Sequence, residues 1–326
     1  MKKIVTKKMV TKKTVTKKTV LTAMVTAAIS VTAAQAADLG RMVTKAPPPP
    51  PVVSPWDVAF GAAIMSDYMW RGISQSAHNA SVTAYVEPRY NINPNLQLYV
   101  GISGESIKFP NKAAAEIDFY AGIRPTFGPV AFDLGVWYYY YPGGDSYYSA
   151  DNGTIAPAIS NASFVEGYGK VAWTINDYVA VGAQVWYTPS YLNTGADGTF
   201  YSGNVKFTAP PTWLPYAVGM YVSGEVGRQE LGTADAYSVT TPFAAPFNLL
   251  VVTETDLPSY TTWNAGLGFT WKAFTLDLRY SDTDLSEENC FLVTGDPDAF
   301  ASGRSNWCGS TFIAKLAVDT TLAALK

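Results

Sequence analysis

The chain has 326 residues, of which 48% are hydrophobic and 14% aromatic, and only 15% are charged, against about a quarter in an average soluble domain. One histidine and two cysteines leave few groups for imidazole or thiolate chemistry. The 26 acidic residues outnumber the 23 basic ones, which is the opposite of the balance expected for a nucleic-acid-binding protein.

The first segment has the order of an export signal. Paired lysines at 2/3, 7/8, 12/13 and 17/18 precede an apolar run from Val20 to Ala34, and Ala34-Gln35-Ala36 supplies small residues for cleavage. We predict a signal peptide over residues 1–36. A membrane-anchoring helix is the alternative, but the apolar run is short and diluted with Thr and Ala. Without this segment, which holds eight of the basic residues, the net charge is about −11.

Residues 37–55 form a proline-rich leader. Five consecutive prolines, Pro47 to Pro51, favour an extended polyproline II spacer, and we interpret the segment as a periplasmic leader. A ligand for a proline-binding domain is the alternative. The folded domain is then expected over residues 56–326.

Strict alternation of apolar and polar residues marks the rest of the chain. After residue 37 no run of eighteen apolar residues occurs, which excludes a helical membrane protein. In residues 116–127, Ile117, Phe119 and Ile123 share one face, while Glu116 and Asp118 share the other. Such alternation predicts β-strands with two different faces, although a soluble sandwich would alternate as well.

The lengths of the connections favour a membrane barrel. We predict twelve strands at 56–68, 80–92, 96–106, 116–127, 130–141, 163–175, 178–188, 200–209, 216–228, 259–272, 274–284 and 310–320. The links between them alternate strictly between short and long. Short turns on one side, long loops on the other and an even strand number describe an all-β, transmembrane, antiparallel up-and-down β-barrel with both termini in the periplasm.

Aromatic residues near the predicted strand ends are expected to form girdles at the two membrane interfaces. A soluble protein with a core of aromatic side chains is the alternative. The predicted girdle residues are Trp56, Tyr68, Trp70, Tyr138, Tyr140, Trp173, Tyr187, Trp263 and Trp271.

The residues at the alternate strand positions, which face inward, include many charged side chains. Unpaired charges are not buried in a dry interior, so we expect a water-filled lumen, intermediate in width for about twelve strands. Eight acidic against five basic residues predict a mild preference for cations. The predicted pore-lining residues are Glu87, Arg89, Glu105, Glu116, Asp118, Arg124, Asp133, Glu166, Lys170, Lys206, Glu225, Asp277 and Arg279.

Inward parity also collects aromatic side chains, which either pack the barrel or stack on sugar rings; packing is the preferred interpretation. These residues are Tyr85, Tyr99, Tyr120, Trp137, Tyr139, Tyr141, Tyr168, Trp186 and Tyr221.

Several motifs are similar to those of a known family. The segment 66–75, Ser-Asp-Tyr-Met-Trp-Arg-Gly-Ile-Ser-Gln, resembles the opening signature of the TorF-type porins, a proteobacterial family of exported proteins of unknown function. Further resemblance lies at 116–122, 140–143, 165–168 and 279–284. The resemblance implies an outer-membrane barrel and a pore. It implies no particular substrate, cofactor or catalytic residue.

The segment after the first strand suggests a feature at the outer mouth. Continued alternation places Asp67 and Arg71 inward, but they are too far apart to be adjacent unless the chain turns. Our hypothesis is that Arg71 pairs with a carboxylate of a neighbouring strand and narrows the entrance. A plain structural salt bridge is the alternative.

The two cysteines, Cys290 and Cys308, fall in the last long loop. Because an exported protein enters an oxidising compartment, we predict a disulfide that clamps this loop. Two thiols without a nearby histidine argue against a zinc site.

Enzymatic interpretations find little support. His78 lies near Ser76 and Ser81 in the first outer loop, and a serine with a histidine is the combination that a hydrolase needs, but no further nucleophile context accompanies it. The carboxylates Glu116 and Asp118 point the same way without indicating glycosidase chemistry. We expect no catalytic residue, metal or cofactor.

The predicted function is passive diffusion of small hydrophilic solutes through the outer membrane. A closed barrel that presents the loops at 142–162, 229–258 and 285–309 is the alternative. The expected partners are outer-membrane lipid, the barrel-assembly machinery and small solutes, not nucleic acid, and the oligomeric state stays open. The chain ends without the usual aromatic residue, so Leu322 is expected to serve as the terminal apolar residue of the last strand.

Overall fold

A computed structural model of the chain describes residues 54–144, 161–241, 249–299 and 302–325. The predicted signal peptide and all but the last two residues of the predicted leader lie outside these ranges. Within them, no helix is both long enough and apolar enough to cross a lipid bilayer.

Sixteen strands and one α-helix make up the described secondary structure, apart from two single-turn 3-10 helices. In chain order they are β1 (Trp56–Met65), β2 (Met69–Trp70), β3 (Ile73–Ser74), β4 (Ser81–Asn93), β5 (Leu96–Glu105), β6 (Glu116–Phe127), β7 (Val130–Tyr140), β8 (Phe164–Thr174), β9 (Val179–Thr188), β10 (Gly198–Thr208), β11 (Gly219–Leu231), β12 (Thr233–Thr241), β13 (Leu249–Asp256), β14 (Tyr260–Trp271), β15 (Phe274–Thr283), α1 (Glu287–Thr294) and β16 (Thr311–Thr321).

Twelve of these strands close into one barrel. Each barrel strand pairs antiparallel with the barrel strands next to it in the chain, and β1 pairs with both β4 and β16 to complete the circle. The antiparallel up-and-down barrel of twelve strands expected from the sequence is confirmed. The remaining strands form two separate hairpins, β2–β3 and β12–β13.

The connections fall into two groups at opposite ends of the barrel. We call the end with the links 94–95, 128–129, 175–178, 209–218 and 272–273 the short-turn end. The opposite, long-loop end carries the β2–β3 and β12–β13 hairpins and α1. The first and last barrel strands begin and end at the short-turn end, because the strand number is even.

The outer face of the barrel is apolar. Along β6 and β7 the inward side chains are buried, while Phe119, Val136 and Tyr138 are exposed on the outside, Val136 by 55%. Exposed aromatic side chains lie in two bands. Trp56, Phe127, Trp173, Phe207, Trp271 and Phe274 lie near the short-turn end, and Tyr138, Tyr140, Tyr187, Tyr201 and Phe312 lie near the long-loop end.

The first strand is shorter than predicted, and this corrects two girdle residues. β1 ends at Met65, and the chain then turns into the barrel. Tyr68 therefore donates a hydrogen bond to Glu116 Oε1 inside the barrel at 2.7 Å, and Trp70 packs among inward aromatic rings. The alternation of β1 does not continue into the motif, so neither residue belongs to the outer girdle.

The last long loop is also ordered. Its helix α1 begins after Ser286, whose hydroxyl accepts a hydrogen bond from the Asn289 backbone N–H, a common N-cap. The helix ends at Gly295 in the left-handed conformation, a common C-cap. A disulfide joins Cys290 to Cys308 with the Cα atoms 5.7 Å apart. It connects α1 to the segment that leads into β16.

Candidate functional site: the barrel lumen

A tight hairpin fills the long-loop end of the lumen. We call residues 66–76, which contain β2 and β3, the lumen hairpin. Its turn consists of Arg71 and Gly72, at φ +48° and +81°, between the paired residues Trp70 and Ile73. Two residues with positive φ form the type I′ geometry that suits a two-residue hairpin. Glycine is needed at 72, because a Cβ there would overlap the side chains of Thr262 and Thr283.

Asp67 holds the base of the lumen hairpin. Its Oδ1 accepts hydrogen bonds from the hydroxyls of Ser74, at 2.6 Å, and Ser76, at 2.9 Å. Backbone bonds attach the hairpin to the last loop, from Ser74 N to Trp307 O, and to the loop after β5, from Lys108 N to Gln75 O. The hairpin is therefore fixed by its own polar residues and by two other loops.

Arg71, at the tip of the lumen hairpin, reaches across the barrel. Its guanidinium donates to both carboxylate oxygens of Glu166 on β8, at 3.0 and 2.6 Å, and to Gln229 Oε1 on β11, at 2.9 Å. The side chains of Arg71 and Glu166 are 3% and 0% exposed. Paired hydrogen bonds of this kind are stronger than neutral ones.

Aromatic rings surround this ion pair. The Arg71 guanidinium carbon lies 4.1 Å from the centroid of the Trp70 ring and 4.6 Å from that of Phe200, within the range of cation–π attraction. Tyr139 donates a hydrogen bond to Glu166 at 3.0 Å. Arg71 thus pairs with a carboxylate, as hypothesised. The partner is not on a strand next to β1, however, because the hairpin carries Arg71 across the lumen.

One half of the lumen, lined by β5 to β10, is filled with aromatic side chains. Tyr120 stacks on Trp137 with ring centroids 4.1 Å apart, and Tyr168 stacks on Trp186 at 4.3 Å. Seven of the nine inward aromatics named from the sequence belong to this buried cluster. For these rings, packing is the observed role.

A network of charges lies below the aromatic cluster, nearer the short-turn end. Arg124 donates to both oxygens of Glu87, at 2.7 and 3.1 Å, and to Asp133 at 3.2 Å. Arg89 donates to Glu87 at 2.6 Å, and the Arg124 guanidinium lies over the Tyr99 ring. Here arginine–carboxylate pairs satisfy the charges, so the expectation that bulk water must do so was wrong for this half of the lumen.

The remaining charged residues named from the sequence also lie on the inward face. Arg279 donates to Asp277, and the ammonium groups of Lys170 and Lys206 lie over aromatic rings. Glu225 accepts a hydrogen bond from Gln184 at 2.7 Å. The last three residues of the set, Glu105, Glu116 and Asp118, lie together at the long-loop end. That these residues line a pore stays a prediction.

The other half of the lumen contains open space. A partly open cavity of about 110 Å³ lies beneath the lumen hairpin, against β1, β4, β5, β10, β11 and β14–β16. Its wall combines apolar side chains with charged groups of both signs. The charged and amide residues on this wall are Asp67, Arg71, Glu105, Glu225, Asn264, Asp277, Arg279 and Lys315.

His78 is placed for structure rather than for nucleophilic catalysis. Its Nδ1 lies 2.7 Å from Asp67 Oδ2, and its Nε2 lies 3.0 Å from the carbonyl oxygen of Asn306. Both partners are acceptors, so the doubly protonated imidazolium satisfies both contacts. The hydrogen bond with Asp67 raises the pKa of His78. Since Nε2 faces a carbonyl oxygen, it activates neither Ser76 nor Ser81.

Sequence reasoning missed several residues of this site. Gln229 is fully buried, but it lies one residue beyond the predicted end of its strand. Phe200 was placed in a strand without being assigned to the lumen. The consecutive Arg71-Gly72 could have indicated a two-residue turn, because glycine readily adopts positive φ.

The chain was also compared with known proteins. Residues 51–241 match the family described as a bacterial protein of unknown function, Gcw_chp. No curated protein matches the chain. The narrower TorF-type assignment stays a prediction.

Solved outer-membrane proteins resemble the chain only distantly. The NanC porin is 10% identical with a TM-score of 0.41, over 81% of this chain and 98% of that one. An outer membrane channel from Pseudomonas putida F1 is 10% identical with a TM-score of 0.42, over 83% and 97%. LpxR from Salmonella typhimurium is 9% identical with a TM-score of 0.39, over 80% and 99%. At these values, any assignment of function depends on the chain's own residues.

Proposed function

Since the chain belongs to the Gcw_chp family of bacterial proteins of unknown function, we propose a function from its own geometry: it is an outer-membrane channel for small hydrophilic solutes. The observation that carries the proposal is the partly open cavity beside the filled half of the lumen, which charged side chains of both signs face. Solutes pass along this cavity, on the side of β1 and β14–β16.

The outer face supports a membrane location. The exposed side chains of the barrel wall are apolar, and aromatic residues are concentrated near both ends, as expected for strands that cross lipid. The short-turn end then faces the periplasm and the long loops face outward, which matches the common orientation of such barrels.

The cavity wall supports a mild preference for cations. Four carboxylates line the cavity against three basic residues. The carboxylates are Asp67, Glu105, Glu225 and Asp277, and the basic residues are Arg71, Arg279 and Lys315. Rings of carboxylates favour cations in a pore, and the excess of one carboxylate is small. We therefore expect a selectivity that is measurable but weak.

A test compares two cysteine variants in planar lipid bilayers. Ser281 lines the cavity, whereas Val226 is 60% exposed on the outer face. A positively charged thiol reagent should reduce the single-channel current of Ser281→Cys and leave that of Val226→Cys unchanged. Equal effects on both variants would contradict the proposed route.

A closed barrel that presents its loops is the second candidate. The observation that favours it is the Arg71–Glu166 ion pair, which anchors the lumen hairpin to the far wall with both side chains buried. The same bilayer experiment separates the two functions. Reproducible current steps from the purified protein support the channel, and silence after verified insertion supports the closed barrel.

A further inference from the structure

Three carboxylates converge at the long-loop end of the lumen. Glu105 of β5 lies directly opposite Glu116 of β6, and Asp118 lies two residues further along β6 on the same face. Oxygens of Glu105, Glu116 and Asp118 all lie within 4.8 Å of one another. Like charges in directly opposite positions destabilise a sheet, so this arrangement needs a compensating positive charge or protons.

The donors around these carboxylates are neutral groups, namely hydroxyls and, beside Asp118, the Trp137 indole N–H, which itself makes no hydrogen bond within the described part of the chain. Tyr68 and Tyr141 donate to the two oxygens of Glu116, at 2.7 and 3.0 Å. Ser103 donates to Asp118 at 3.2 Å, and Thr83 donates to Glu105 at 2.8 Å. Elsewhere in the lumen, Glu87, Asp133, Glu166 and Asp277 each accept from an arginine. Lys315 lines the same cavity as Glu105, but one ammonium group does not balance three carboxylates.

A second observation concerns hydrogen bonding rather than clustering. Asp118 is only 3% exposed, and its Oδ1 has no hydrogen-bond partner among the described residues. Glu105 Oε2 is likewise buried without one. A buried polar atom without a partner costs free energy, and two such oxygens in one cluster point to a missing ligand that accepts their lone pairs.

We propose that Glu105, Glu116 and Asp118 bind one divalent cation of the calcium or magnesium class. All the donor atoms are oxygens, which these cations prefer over nitrogen or sulfur ligands. Oxygens that share a Ca²⁺ ion at about 2.4 Å lie at most about 4.8 Å apart, which fits the spacing of the cluster. Glu105 borders the cavity beneath the lumen hairpin, which provides the route by which the ion enters.

The site also contacts the lumen hairpin. Tyr68 of the hairpin donates to Glu116. A bound cation would therefore be coordinated by the same carboxylate that holds the hairpin against β6. The sequence predicted no metal, because Glu105 is separated from Glu116 and Asp118 by a loop whose length does not reveal the cross-strand register.

The experiment is a calcium titration of the full chain, refolded in detergent free of lipopolysaccharide and stripped with EDTA. Calorimetry with CaCl₂ should give one saturable site per chain. Tb³⁺, which replaces Ca²⁺, should show emission sensitised by excitation of Tyr68 and Tyr141. Glu105→Gln should weaken calcium binding by at least about tenfold, and so should Asp118→Asn.

Glu225→Gln is the matched control. Glu225 faces the same cavity but lies outside the cluster, so its loss should leave calcium affinity unchanged. Glu105 borders the cavity and is only partly buried, so Glu105→Gln provides the test even when Asp118→Asn does not refold. The proposal is overturned by the absence of saturable binding, or by equal weakening in Glu105→Gln and Glu225→Gln. Binding is measured without any current, so the result is independent of whether the barrel conducts.

Discussion

Arg71 is the residue on which the lumen hairpin depends most. Replacing it with methionine keeps much of the side-chain volume but leaves Glu166 buried without its cation. Loss of one partner from a buried ion pair costs about 3–5 kcal/mol. We expect Arg71→Met to lower the free energy of unfolding by an amount of this order, measured by urea titration of the refolded barrel.

Two further variants sharpen this test. Arg304 pairs with Glu288 on the surface, where both side chains are more than half exposed, so Arg304→Met should not change stability measurably. The double variant Arg71→Met, Glu166→Leu removes both charges and should recover part of the lost stability. If the double variant is less stable than Arg71→Met alone, the buried charge of Glu166 is not the cause.

His78 makes the first outer loop sensitive to pH. Its pKa in the folded protein is raised, mainly by the hydrogen bond with Asp67, above the ordinary value of about 6.5. The imidazolium therefore contributes stability that is fully present below pH 6.5 and is lost as pH rises through the raised pKa.

We expect amide hydrogen exchange in residues 74–79 to quicken more steeply across this interval than intrinsic exchange does. His78→Asn, which removes the titrating group, should abolish the extra pH dependence. Because the chain has one histidine, an NMR titration of the ring assigns the pKa without ambiguity. A value at or below 6.5 would refute the role of Asp67.

At the level of single residues, the alternation along each strand predicted which barrel side chains face inward, but it did not predict which side chains they contact. Asp67 and Arg71 are inward, but the lumen hairpin places them there, since the alternation of β1 ends at Met65. The partner Glu166 lies 95 positions further along the chain, and its place opposite the hairpin depends on the curvature of the closed barrel, which no local pattern contains. Tyr68 and Trp70 were wrongly placed outside because nothing in the alternation signals that β1 ends at Met65.

Among the elements, the loop from 284 to 310 depends on its disulfide. The bond joins α1 to the segment before β16 and closes a loop with a sequence separation of 18. A cross-link of that length stabilises by about 3 kcal/mol in the chain-entropy model. We expect Cys290→Ser with Cys308→Ser to accelerate proteolysis in this loop while the barrel strands remain protected.

The contacts of this loop with the lumen hairpin predict which other residues are affected by loss of the disulfide. Trp307 O accepts a hydrogen bond from Ser74 N of the lumen hairpin, and Asn306 O accepts one from His78. Exchange at residues 74–78 should therefore also rise in the double-serine variant, and exchange in the turn at 128–129 should not. Unchanged exchange at residues 74–78 would show that the disulfide acts on its own loop alone.

Twelve of the sixteen described strands could be predicted because strands with one inward and one outward face alternate so regularly. β6 agrees with its expected bounds at both ends, since the alternation begins at Glu116 and Gly128-Pro129 ends it. The β12–β13 hairpin was taken for a loop, because it lies outside the barrel and the two-faced barrel wall does not impose alternation on it. Helix α1 is a single short helix in a polar loop, and a segment of eight residues carries little periodic signal.

For the whole molecule, the location in a bilayer can be tested by placing a lysine at two different depths on the outer face of the barrel. Val136 lies near the middle of β7, and Phe127 is the last residue of β6 at the short-turn end. A lysine at the bilayer midplane costs about 2–4 kcal/mol, falling to about 0–1 kcal/mol near an interface. Val136→Lys should therefore destabilise the barrel in lipid vesicles much more than Phe127→Lys, measured by unfolding in guanidinium.

Both residues are exposed on the outer face, Val136 by 55% and Phe127 by 68%. In a soluble protein with the same fold, a lysine would be tolerated equally at either position. Similar small effects from the two variants would count against a membrane location.

Closure of the barrel has a kinetic consequence. β1 and β16 are partners, and Ser66 bonds to Ala314, 248 positions away. The contacts of Arg71 with Glu166 and with Gln229, which is 158 positions away, form only once β8 and β11 are in place. Contacts between residues so distant in sequence slow folding. Until β1 meets β16, each of these strands has one unpaired edge, which is open to association with other chains. Closure of the barrel therefore both completes the sheet and removes its last exposed edges.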